Sequence, residues 1–211
     1  MSGLFITFEG SEGSGKSTQA ARLAERLKSL GRRVQTLREP GGTPIGEEIR
    51  HTLKHSQNNQ AMTAETELLL MNASRAQLVR EIIRPALDRG EIVLCDRFFD
   101  STIAYQGHGR QLDLKQVEAI IRFAVGQTVP DLTLLLEVPE KISVARLTAR
   151  RSGQAVVRDR IEEADAEFFK RVAQGYHALA QMEPGRIKRI DASGPEPEVE
   201  SRIWEVVRPL V

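Results

Sequence analysis

The stretch FEGSEGSGKST, Phe8 to Thr18, restricts this chain more than any other part of it. Gly10, four further residues, then Gly15, Lys16 and Ser17 match the G-x-x-x-x-G-K-[ST] phosphate loop. That loop needs a strand before it and a helix after it. LFITFE supplies the apolar run, and helical periodicity begins at Lys16. Glycines let successive amides turn inward around a phosphate, and the positive end of the following helix adds to them. The nucleotide site therefore comprises Gly10, Ser11, Glu12, Gly13, Ser14, Gly15, Lys16, Ser17 and Thr18. Lys16 reaches the β- and γ-phosphates and Ser17 offers an oxygen to Mg²⁺. An ordinary strand–turn–helix junction is the plainer alternative.

Short apolar runs alternate with longer segments of helical period, the pattern of βαβ units. Strands are expected at Leu4–Glu9, Arg33–Arg38, Ile92–Asp96, Leu132–Glu137 and Arg189–Asp191. Helices are expected at Lys16–Leu30, Pro44–Leu53, Thr63–Leu87, Asp113–Val125, Pro139–Arg150, Glu163–Gln181 and Glu196–Val207. Pro85 predicts a kink or an early end in the third of these. The fold class is α/β: a three-layer sandwich of the P-loop NTPase type, with a five-stranded, mainly parallel sheet flanked by helices. At 211 residues the chain suits one domain, given a prior of ~100–200 residues per domain.

Thirty Lys+Arg against 29 Asp+Glu leave a net charge of +1, which gives no global electrostatic case for a nucleic-acid or membrane-surface protein. The single cysteine, Cys95, excludes an internal disulfide framework and reads as a buried apolar filler rather than a reactive thiol. The N-terminus has no basic region of signal-peptide type, and no stretch approaches the ~18 apolar residues of a membrane helix, so a cytoplasmic location is expected. RRSGQAVVRDR, residues 150–160, carries four arginines after a helix and reads either as solvated charge or as a mobile functional loop.

A phosphate loop alone does not separate kinases from switches and motors. The guanine-reading N-K-x-D box is absent, since Asn58, Asn59 and Asn72 do not precede a lysine. Asp96 ends a strand where it can hold a magnesium-bound water, and Arg97 follows it. Arg75 lies four positions after Met71, so on a helix an apolar surface adjoins an anion-binding fork.

EGSEGSGKST, REPGGTP, NASRAQ, DRFFDSTIAYQGHGR, PDLTLLLEV and DRIE, in this order, closely resemble bacterial thymidylate kinases from Leu4 to about Ala192. REPGGT and DR…AYQGxGR are the specific parts. The resemblance implies transfer of the ATP γ-phosphoryl group to dTMP, giving dTDP for dTTP biosynthesis, with Mg²⁺ as cofactor. It also implies one nucleoside-monophosphate kinase domain over 1–211, a homodimer, and an arginine-rich lid at about 148–160.

Residue by residue, the resemblance gives Glu12 the sugar 3′-hydroxyl. Arg50, Arg75 and Arg97 surround the dTMP phosphate, with Arg38 and Glu39 shaping that wall. Thr102 and Gln106 meet the thymine edge, and Tyr105 lies where a ribo 2′-hydroxyl would have to fit. Met71 stands where many relatives stack a phenylalanine on the base. The catalytic set is Lys16, Arg97, Glu12 and a lid cation. Arg150 is the best match for that cation, Arg146 a second, and Arg151 and Arg158 remain alternatives because the lid is longer than in relatives. Glu162 and Asp159 would hold Arg160 and the closed lid in position. The open alternatives are a kinase for another nucleoside monophosphate and an ATP-regulated binding module.

Overall fold

The computed structural model describes residues 3–151 and 165–211, except for the side chains of Arg150 and Arg151. Strand β1 (Leu4–Glu9) runs through the phosphate loop into α1 (Lys16–Ser29). After it come β2 (Val34–Arg38), α2 (Pro44–Lys54), α3 (Ala64–Leu78), α4 (Arg84–Asp88), β3 (Ile92–Asp96) and α5 (Phe99–Thr102). They are followed by α6 (Leu114–Val125), β4 (Leu132–Glu137), α7 (Glu140–Arg151), α8 (Ala166–Met182), β5 (Ile187–Asp191) and α9 (Glu196–Val207). The five strands lie in the order β2-β3-β1-β4-β5 and pair in parallel throughout, where a mainly parallel sheet was expected.

Parallel strands covered by helices are buried on both faces and read as near-continuous apolar runs. Ile6, Phe8, Leu94, Leu134 and Leu136 point to the side covered by α1 and α9. Phe5, Val93 and Cys95 point to the side covered by α3 and α6, and Leu135 meets Phe168, Val172 and Tyr176 of α8 on that side too. Cys95 is fully buried, as its apolar surroundings required. The alternation also turns Thr7, Glu9 and Thr133 inward, and all three are fully buried. Such groups need partners. Thr7 and Thr133 bond each other at 2.8 Å, and Thr133 donates to Asp100 at 3.1 Å.

Three of the expected elements differ by more than one residue. β5 reaches back to Ile187 rather than starting at Arg189. The described part of α8 starts at Ala166, capped by Asp165, while Glu163 lies outside the described residues. The run expected as one helix from Thr63 to Leu87 is α3, a π-helical turn at Val79–Ile83, then α4 with Pro85 in its first turn. Proline has no amide and its ring crowds the carbonyl four residues back. A wider turn ahead of Pro85 absorbs both defects without ending the helix. A second π-helical stretch, Ile103–Gly109, continues α5 and was not among the expected helices.

β1 sits between β3 and β4, and Phe8 is level with Asp96 of β3, which is level with Arg38 of β2. The phosphate loop, the REPGG turn and the Asp96-Arg97 pair thus leave the sheet at one edge. Connections from β1 diverge there, the place where open α/β sheets bind ligands.

Candidate active site

The phosphate loop is built by backbone requirements. Gly10 has φ 136° and passes so close to the carbonyl oxygen of Leu136 that a Cβ would collide with it. Gly13, with φ 74°, would put a Cβ 2.7 Å from the Ser143 carbonyl oxygen. α7 therefore lies directly against the loop, and Ser143 Oγ donates to the Glu12 carbonyl at 2.6 Å. Thr43, Thr63, Asp113 and Asp165 close the N-termini of α2, α3, α6 and α8 with side-chain hydrogen bonds, whereas Gly15 leaves that of α1 open. Free amides and a positive helix end suit an anion.

Lys16 Nζ donates to the carbonyls of Ser11 at 2.7 Å and Gly10 at 3.1 Å. Burial lowers its pKa to about 8, with Arg97 adding to the effect and Glu12 and Asp96 opposing it. Ser17 Oγ donates to Asp96 Oδ2 at 2.5 Å, which joins the loop to the end of β3.

One cavity of about 620 Å³ adjoins the loop. Glu12 to Thr18 and Arg146 line it toward the loop. Arg38, Glu39, Arg50, Met71, Arg75, Asp96, Arg97, Thr102, Tyr105 and Gln106 line the rest. Gly10 and Ser11 stand behind it as the carbonyls that hold Lys16. Of the expected lid residues, Asp159, Arg158, Arg160 and Glu162 lie outside the described residues, as do the side chains of Arg150 and Arg151. Arg146 donates to the carbonyls of Ala192 at 3.0 Å and Gly194 at 3.2 Å, fastening α7 to the loop after β5.

Arg97 is the centre of the constellation. Its backbone is left-handed, φ 70°, which is uncommon for a residue with a side chain. Its Nη2 donates to Glu12 Oε1 at 2.7 Å and to the Tyr105 hydroxyl at 3.2 Å. Nη1 donates to Ser101 Oγ at 3.0 Å and to the Tyr176 hydroxyl at 3.3 Å. The Arg97 guanidinium holds Glu12 well below the usual carboxylate range. Burial outweighs Arg97 at Tyr105 and pushes its phenol up to about 12, so it is neutral. Behind them Glu9 accepts from the Phe98 amide at 2.7 Å and the Tyr176 hydroxyl at 2.8 Å.

Arg75 lines the cavity, as expected, and is held in place by the protein. Each of its nitrogens has a protein acceptor: Nε donates to Glu39 Oε2 at 2.8 Å, Nη1 to Asn72 at 2.9 Å and Nη2 to the Phe98 carbonyl at 3.2 Å. Only 2% of Arg75 is exposed. Burial outweighs this partner at Glu39 and raises its carboxyl pKa to about 7. Glu39 Oε1 is buried without a hydrogen-bond partner among the described residues. Arg50 donates to the Pro40 carbonyl at 2.8 Å, and Arg38 pairs with Glu47 at 3.0 Å on the rim.

Sequence reasoning missed Ser101 and Tyr176, which accept from Arg97, Glu9 behind them, Lys54, which lines the cavity, and Glu67, which accepts from Gln106 at 2.8 Å. Glu67, Met71 and Arg75 are spaced i, i+4 and i+8, one side of α3, so an acid at Glu67 could have been read as part of the same wall. Tyr176 carries no local signal, because its contact with Arg97 bridges distant segments.

The family model described as thymidylate kinase matches residues 8–203. The thymidylate kinase of Syntrophotalea carbinolica is 50% identical over 95% of this chain and 93% of its own length. That of Deinococcus radiodurans is 49% identical over 97% of this chain and 96% of its own. Among solved structures, the crystal structure of thymidylate kinase from Ehrlichia chaffeensis aligns with a TM-score of 0.77 at 32% identity, covering 98% of this chain and 99% of that one.

Proposed function

The chain belongs to the thymidylate kinase family, and from that premise we propose how this cavity moves the γ-phosphoryl group of ATP onto dTMP, giving dTDP and ADP. The carrying observation is that the phosphate loop and the wall formed by Arg50, Arg97, Tyr105 and Gln106 open into the same cavity. Donor and acceptor can then be held in line, which is most of what phosphoryl transfer asks of a protein.

ATP lies along the loop, its phosphates on the open amides of α1 and on Lys16, and Arg146 walls this side. dTMP takes the other end. Its phosphate faces Arg50 and Arg97, its 3′-hydroxyl Glu12, its sugar Tyr105, and its base Met71, Thr102 and Gln106. Arg75, held by Glu39, Asn72 and the Phe98 carbonyl, stands with Arg50 and Arg97 on the phosphate side of this wall. A dTMP phosphate oxygen attacks the γ-phosphorus as the bond to the ADP oxygen breaks. That oxygen is already ionised at neutral pH, so no general base is required. The four bonds that hold Arg97 fix its charge before substrate arrives, and such preorganised charge costs no reorganisation during reaction.

Ser17 and Asp96 present adjoining hard oxygens beside the loop. Among the described residues no group of three or more His, Cys, Asp or Glu could hold a metal. The pair fits Mg²⁺, which takes one or two protein oxygens and completes its shell with water and phosphates. Bound there, Mg²⁺ would neutralise charge on the β- and γ-phosphates. A lid cation, Arg150 or its neighbours Arg151 and Arg158, completes the charge balance.

We read 1–211 as a single kinase domain with its lid at about 148–160, acting in dTTP biosynthesis in the cytoplasm as a homodimer. No described helix is long and apolar enough to cross a membrane. Phe123 on α6, 85% exposed, supports the dimer. A coupled assay of ADP release with dTMP, dUMP and UMP tests the function. dTMP should give the highest kcat/KM and Lys16→Ala should abolish turnover. Equal use of UMP and dTMP overturns the assignment.

A further inference from the structure

Glu67 stands on α3 with 1% of its side chain exposed. Arg110 grips it with both arms of the fork, Nε to Oε1 at 3.2 Å and Nη2 to Oε2 at 3.0 Å. The same Oε1 accepts from Gln106 Nε2 at 2.8 Å. A carboxylate paired with a guanidinium is an acceptor only. The Gln106 amide can therefore meet it only through its NH₂ group, and the two ends of that amide are no longer interchangeable. Gln106 Oε1 takes no hydrogen bond from the described residues, and Gln106 lines the cavity.

We propose that Glu67, backed by Arg110, is a positioning residue for base selection: it turns the Gln106 carbonyl toward the cavity, so the site accepts the N3–H of thymine and rejects cytosine. The inference rests on the reading of this cavity as the dTMP site. Thymine carries a donor at N3, whereas cytosine carries a lone pair there, and two acceptors face to face leave a buried group unpaired. Sites built to bond a particular group reject analogues lacking it by up to ~10⁴–10⁵-fold. Without Glu67 the amide could rotate by half a turn at little cost and serve either base. Thr102, one turn before Gln106 and equally buried, has a hydroxyl that can donate or accept and so cannot supply this discrimination alone.

The test compares dTMP with 5-methyl-dCMP, which keeps the sugar, the phosphate and the ring methyl and changes only the base edge. Wild type should favour dTMP in kcat/KM by ~10³-fold or more. Glu67→Gln keeps the shape, but its single oxygen can remain with Arg110 while its NH₂ group faces Gln106 and turns that amide over. The dTMP to 5-methyl-dCMP ratio should then fall at least ~10-fold, as expected for a lost hydrogen-bond preference of ~1.4 kcal/mol or more. A purely structural role would lower both substrates together and leave the ratio in place, so any smaller change in the ratio overturns the proposal. If Glu67→Gln does not fold, the double variant Glu67→Leu with Arg110→Met carries the same two outcomes, because it removes the acceptor that fixes the Gln106 amide without leaving a guanidinium unpaired. Wild type that fails to use dTMP overturns the underlying reading instead, which keeps the two failures distinct.

Discussion

Glu39 shows how much one buried residue can matter in a protein whose net stability is ~5–15 kcal/mol. Its carboxyl pKa, raised to about 7 by burial against an ordinary 4.5, lies above that of the unfolded chain. Between those values the folded state binds more protons than the unfolded one, so this group's contribution to stability falls as pH rises through that window and is fully lost above about 7. Glu39→Gln removes the titration. The melting temperature of wild type relative to Glu39→Gln should therefore drop between about pH 5 and pH 8. A constant difference across that range would show that the Arg75 pairing, not burial, governs Glu39. That most of the expected residues line one cavity was legible, the phosphate loop from its spacing and the DR and AYQ segments from their resemblance to a family. The commitment of Arg75 to Glu39 was not legible, since it joins residues 36 apart in sequence.

At the scale of elements, the π-helical stretch Ile103–Gly109 and α8 form a single wall. A Cβ on Gly109 would stand 2.6 Å from a ring carbon of Phe168 and 2.9 Å from a Val172 methyl group. A Cβ on Gly175 would stand 2.9 Å from the His108 ring. The glycines of AYQGHG thus mark close approach rather than a loose loop. Gly109→Ala should cost ~1–3 kcal/mol in urea unfolding, the usual range for overpacking, and should raise the KM for dTMP by pushing α8 and Tyr176 away from Arg97. Wild-type stability and KM would show that the contact yields freely. α7, fastened to the phosphate loop through Ser143, leads into the segment expected to be the lid. Arg150→Ala should lower kcat by ~10³-fold or more, as loss of an arginine finger does. If Arg151→Ala or Arg158→Ala has that effect instead, the lid register shifts accordingly. Strands were legible because burial on both faces leaves uninterrupted apolar runs. The π-helical turns were not, since shifting a hydrogen bond from i+4 to i+5 changes no residue type.

For the whole molecule, Phe123 at 85% exposure and Leu69 at 56% lie on α6 and α3, neighbours in the fold. Covering one phenylalanine stabilises an interface by roughly 1.5–3 kcal/mol. Light scattering should give twice the chain mass, and Phe123→Glu should return the single-chain mass. A wild type that is monomeric at micromolar concentration would remove the dimer. The left-handed turn at Arg97 has a consequence on this scale. An L-residue in that conformation forfeits ~1–2 kcal/mol that glycine would keep, a fair share of the total. Folding and chemistry ask for different residues at position 97. Efforts to raise heat resistance by repairing unfavourable backbone angles would single out this position early, and the repair would remove the cation proposed to face the acceptor phosphate. Here the enzyme's durability and its turnover compete at a single codon.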